Sequence, residues 1–172
     1  MTDLDEARRN MERLREALKN KTEPREYGAP EVLVIDHDDY DAQYVGRTAD
    51  GRQFFLTTPF LPARDPSAGN EFVALFLFDG KGDLLEAKID EFGPRAMLDL
   101  ERRKELKAQR MAELGKVSFE RIAVKPFFVE GFGQAVGLIP FQYEKDNRWY
   151  VVMLPGNYMS FGEPWDYGHY DT

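Results

Sequence analysis

Apolar positions near the start of the chain recur at helical spacing. Leu4, Ala7, Met11, Leu14 and Leu18 form one stripe, which predicts an amphipathic helix from about Asp3 to Lys19. Thr2 stands three residues before Asp5 in a weak capping-box pattern. The stretch from Asn20 to Pro30 carries Pro24, Gly28 and Pro30 with few apolar residues and reads as a linker. A helix on such a linker can pack on its own domain, exchange between subunits or dock a partner; packing on its own domain is the favoured expectation.

From Glu31 the period becomes that of strands. Val32 to Ile35 is a short apolar run. Gln43 to Arg47 and Gln53 to Thr58 flank Ala49-Asp50-Gly51-Arg52, where Asp-Gly predicts a hairpin with a tight primed turn. After the loop from Pro62 to Gly69, Phe72 to Phe78 reads FVALFLF without alternation, which predicts a central strand covered on both faces. Asp79 to Gly82 turns into Leu84 to Ile89. Gly93-Pro94 then precedes a second helix, predicted from about Arg95 to Leu114, with Met97, Leu100, Met111 and Leu114 as core candidates and Gly115 as its stop. Arg121 to Val129 (interrupted by Pro126), Gln134 to Tyr143 and Trp149 to Leu154 complete the extended runs. The expected architecture is a single α+β domain, a mainly antiparallel sheet of about six to eight strands with the N-terminal and mid-chain helices packing on it. Its expected organisation is a helix and linker over 1–30 and an α+β domain over 31–172.

Composition narrows the chemistry. At 172 residues the chain is long enough to bury about 70% of its extended surface without covalent staples. It has no cysteine, which removes disulfides, thiolate metal sites and thiol nucleophiles. The charged start MTDLDEARRN, with no apolar stretch behind it, predicts no secretory signal, and no apolar run reaches the ~20 residues of a membrane span. A soluble, cytoplasmic protein is the expectation. Acids outnumber bases 31 to 23, a net charge of −8, so direct nucleic-acid binding is not expected.

Candidate catalytic groups are sparse. Ser67, Ser118 and Ser160 lie outside any G-x-S-x-G elbow. Asp36, His37, Asp38 and Asp39, with Asp41 beyond, are the densest run of possible metal ligands, but they lack the glycine-containing calcium-loop spacing, and a solvated acidic turn is the plainer reading. Gly131, Gly133 and Gly137 suit a hairpin rather than a phosphate loop, because the sequence continues as strand. Arg102, Arg103, Lys104, Lys107 and Arg110 make the second helix basic outside, interrupted by Glu101, Glu105 and Glu113. If that face binds anything, an acidic protein suits it better than DNA. The tail from Phe161 to Thr172 carries Trp165, Tyr167 and Tyr170 among Asp166, Asp171 and His169, unlike the polar composition of a disordered end. Trp165 and Tyr170 should therefore be buried, on this chain's own sheet or on a partner.

Four blocks in order (Arg47-Thr48-Ala49-Asp50-Gly51-Arg52-Gln53-Phe54-Phe55; Leu77-Phe78-Asp79 with Gly82; Val124-Lys125-Pro126-Phe127; and Pro164-Trp165-Asp166 before Tyr170-Asp171-Thr172) resemble the bacterial formate hydrogenlyase regulatory protein family, HycA-like, over about residues 44–172. The resemblance implies a small regulatory protein without a cofactor. The expectation is thus a non-enzymatic protein-binding regulator, monomer or homodimer, contacting a regulator protein through Trp165, Asp166, Tyr170 and Asp171, with Phe54 and Phe55 as support. Two alternatives stand beside it: an immunity protein neutralising a basic toxin, and a metal-dependent hydrolase built on Asp36, His37, Asp38 and Asp39.

Overall fold

The structure is a computed structural model that describes residues 3–20, 28–65 and 67–172. Thr2, most of the linker and Pro66 lie outside the described residues. In chain order the elements are α1 (Asp3–Lys19), β1 (Leu33–Ile35), β2 (Tyr44–Thr48), β3 (Gln53–Thr57), β4 (Phe60–Leu61), β5 (Asn70–Phe78), β6 (Leu84–Gly93), α2 (Leu100–Glu113), β7 (Val117–Phe119), β8 (Ile122–Val124), β9 (Phe127–Gly131), β10 (Gln134–Gln142), β11 (Trp149–Leu154) and β12 (Ser160–Phe161). The class is α+β, with antiparallel pairing in both larger sheets and a helix on each. Among the described residues, no helix is long and apolar enough to cross a membrane.

The chain divides into two compact units, residues 1–35 with 123–172, and residues 36–122. In the first, the sheet order is β12-β11-β10-β9. The stripe of α1 lies on it: Ala7 packs with Ala135 and Ile139 of β10, ringed by Leu4, Phe128, Phe141 and Leu154. Ala7 and Leu14 are buried as the helical period requires. The glycines near residue 133 lie in the β9–β10 hairpin, where Gln134 faces Gly131.

In the second unit the order is β4-β5-β3-β2-β7, with β6 on the other edge of β5. FVALFLF is the heart of β5, and Phe72 to Phe78 are all buried, as a strand apolar throughout demands. The β2–β3 hairpin differs from its expected turn. Gly51 N–H donates to Thr48 O at 3.1 Å and Thr48 N–H to Arg52 O at 2.9 Å, which encloses a three-residue loop. Within it only Gly51 takes a positive φ, 85°, so the turn is an ordinary one followed by a glycine bulge rather than a primed two-residue turn.

The second helix starts later than its period suggests. Arg95–Met97 forms a separate 3-10 turn, and α2 begins beyond Asp99, whose carboxylate accepts the Arg102 N–H at 3.1 Å. Met97 and Leu100 are therefore not core residues; they are 76% and 62% exposed. Leu114 is buried, and Leu98, Leu106 and Met111 pack beside Phe54, Leu56, Val73, Leu75, Leu77 and Phe92. β4, β7 and β12 appear in addition to the expected runs, and the run over 121–129 splits at Pro126, which cannot donate to a ladder.

Candidate functional site

The acidic run after β1 is organised by its own backbone. Asp38 accepts the N–H groups of Tyr40 and Ala42 at 2.8 and 3.0 Å, which closes a turn. Asp36 takes the guanidinium of Arg121 at 2.8 Å. The Asp41 carboxyl is raised above its ordinary pKa, by burial first and by the Asp38 charge second. Asp39 is exposed, and His37 stacks on Phe119 with ring centres 5.4 Å apart. Among the described residues, no group of three or more His, Asp or Glu side chains is placed to hold a metal ion.

The tail is stitched to its own unit. Trp165 is 5% exposed; its indole N–H donates to Gly28 O at 2.9 Å, and its own carbonyl accepts the Val34 N–H at 2.8 Å. Glu163 accepts the Gly28 N–H at 3.0 Å. Ser160 and Asp171 exchange two backbone hydrogen bonds of 2.8 Å, and the Tyr170 ring tilts against Phe161 at 5.7 Å. Trp165 thus faces inward, while Asp166, Tyr167 and Asp171 face outward and Tyr170 is half-buried. Phe54 and Phe55 are fully buried in the second unit, Phe54 under α2 and Phe55 beside Phe76.

A concave site lies in the second unit, along one flank of α2. The opposite flank is clamped to β6: Arg110 donates to Asp90 at 2.9 Å and to Glu113 at 3.0 Å, Lys88 donates to Glu113 at 2.9 Å, and the Arg102 guanidinium lies 4.8 Å from the centre of the Phe92 ring. Held there, α2 leaves a groove of about 540 Å³ on the side of β2 and β7. Its helical wall is a regular stripe of Leu100, Arg103, Lys104, Lys107, Ala108 and Met111, and Tyr44 and Phe119 form the facing wall. β7 lies so close to β2 that a Cβ on Gly46 would sit 2.0 Å from Ser118 O. Glycine there is a requirement of the wall that carries Phe119.

The groove is cationic on an acidic protein. Arg47, Arg52, Arg95, Arg110 and Arg121 of the same unit all have carboxylate partners. Among the described residues, Arg103, Lys104 and Lys107 form no ion pair. The Lys107 ammonium instead lies over the Tyr44 ring, 4.8 Å from its centre. Burial, and then the neighbouring Arg103 charge, pull its pKa below that of an ordinary lysine. Leu100 and Phe119, 62% and 49% exposed, add apolar surface at the rim.

Sequence inspection noticed the basic side of α2 but missed the groove. The signal was present: Leu100, Ala108 and Met111 share the 3-4 spacing of Arg103, Lys104 and Lys107, so one stripe mixes apolar and cationic groups. Tyr44 and Phe119, far away in sequence, carried no such signal. Compared with known protein families, with curated proteins and with solved structures, the chain matches none.

Proposed function

We propose that the chain is a non-enzymatic regulatory protein that acts by binding another protein, with the open flank of α2 as its binding face. The observation that carries this is the groove itself. Large apolar side chains cluster there beside a cavity of about 540 Å³, and aromatic and long side chains around a pocket are the usual anchors of protein interfaces. The resemblance of residues 44–172 to the HycA-like formate hydrogenlyase regulatory proteins supports the regulatory part of the reading and a cytoplasmic role without a cofactor. The outward Asp166 and Asp171, with the half-buried Tyr170, are a second candidate contact, and Trp165 holds the tail in place. An immunity protein against a basic toxin would draw on the net charge of −8, but the cations of the groove have the wrong sign for that partner.

The test is affinity capture from host lysate with three folded baits: wild type, Leu100→Ser/Phe119→Ser, and Asp166→Ala/Asp171→Ala. A stoichiometric protein held by the wild type and the tail variant, and lost from the groove variant, is the expected result. Loss from the tail variant alone would move the binding face to the tail. A captured secreted nuclease would replace the regulator with an immunity protein.

A further inference from the structure

Resting on that reading, we infer that the occupant of the groove is an acidic segment of the partner chain that inserts an apolar side chain between α2 and the Tyr44–Phe119 wall. Two independent features of the site converge on this chemistry. The first is charge. In a unit where five other arginines are matched with carboxylates, Arg103, Lys104 and Lys107 share one flank of α2 and form no ion pair among the described residues. Glu101 and Glu105 do not line the groove, and Glu113 is engaged by Lys88 and Arg110 on the clamped flank. An incoming carboxylate therefore meets three cations without displacing an internal partner. Lys107 is the most receptive of them, because its charge is already partly desolvated and lies over Tyr44, and an anion would relieve the cost of that position.

The second feature is shape. Between the cations the lining is Leu100, Ala108 and Met111 on one side and Tyr44 and Phe119 on the other, apolar walls against which an inserted Leu, Phe or Trp side chain is buried. Methionine in such a wall adapts to different inserted shapes. From Leu100 to Met111 the stripe runs about 16 Å at the helical rise, the reach of about five extended residues. A binding partner of that length carries both an apolar anchor and two or three carboxylates, which a simple anion or a purely apolar ligand does not.

Fluorescence anisotropy of the full chain with labelled peptides tests this directly. The probes are Asp-Asp-Trp-Glu-Glu-Leu-Asp-Asp, its counterpart with every acid changed to Asn or Gln, and its counterpart with Trp and Leu changed to Ser. Sodium laurate serves as a competitor. The acidic apolar peptide should bind, and both counterparts should bind at least about tenfold more weakly. Arg103→Glu/Lys104→Glu should abolish binding, Lys107→Gln should weaken it, and Lys104→Arg should preserve it. Binding should also fall as the Debye length shrinks from about 10 Å at 0.1 M salt to about 3 Å at 1 M. Equal binding of the acidic and amide peptides would overturn the charge assignment while leaving the groove as a binding face. No peptide binding, with displacement-free binding of laurate at the same walls, would overturn it in favour of a small amphipathic anion. If no probe binds and the Leu100→Ser/Phe119→Ser bait still captures the lysate partner, the groove reading falls together with the inference.

Discussion

The two helices solve the same problem in opposite ways. α1 lies on β10 through Ala7 and buries Leu14 as well, and Arg8 reaches its sheet only at the surface, 3.9 Å from Glu130 in a pair with both side chains 59% exposed. α2 has no buried residue at all. Its attachment runs through Leu106 and Met111 and through the Asp90–Arg110–Glu113–Lys88 network along one flank. A helix seated by its apolar stripe closes over its sheet, because non-directional burial favours maximum contact. A helix held by directional ion pairs at one side can stand off on the other, and the groove is what remains open there.

The comparison breaks first at Leu14. Leu14→Ala removes a side chain 3% exposed and should cost about 2–4 kcal/mol in urea unfolding, the largest effect of the set. Were Leu106→Ala to cost as much, α2 would be seated by its apolar side too, and the contrast would vanish. The clamp comes next. The Arg110 side chain is 15% exposed and bonds two carboxylates, so Arg110→Met should cost about 1–3 kcal/mol. Among the described residues its buried Nε has no hydrogen-bond partner, which keeps the loss toward the lower end.

A pH series sharpens the same point. The hydrogen bond from Lys88, together with the Arg110 charge and against the opposing effect of burial, holds Glu113 below the ordinary glutamate pKa. A carboxylate lowered on folding stabilises the folded state above its unfolded pKa of about 4.3, and that contribution is lost as pH falls through the lower folded value. The difference in Tm between wild type and Glu113→Gln should therefore be widest near neutrality and close in acid. A gap that stayed flat across this range would show the clamp to be inert. The smallest effect belongs to Arg8→Ala, expected within about 0.5 kcal/mol because both partners of the pair are exposed.

Much of this architecture was legible in the pattern of residues. The span of α1, the buried β5 and the β10 and β11 strands follow from period and composition, since each is long enough for its local preference to dominate. Short edge strands were not: β4, β7 and β12 have two or three residues each and exist because a neighbouring strand offers them hydrogen bonds. The composition of Arg95–Met97 permits a continuous helix, but the Asp99 carboxylate captures the Arg102 N–H and starts α2 there.

The tail illustrates the boundary between the two kinds of information. Its aromatic content by itself required burial of Trp165 somewhere; the carbonyl of Gly28, 137 positions away in the chain, decided where. The groove shows it again. One wall is written along α2 at helical spacing, and the basic groups on it follow from sequence alone. The other wall brings Tyr44 and Phe119 together only because β7 pairs beside β2 at Gly46, a contact between residues more than seventy positions apart. Local periodicity sets which side chains share a face of one element. Which faces are covered and which stay open depends on long-range pairing, and that pairing leaves no periodic trace in the chain.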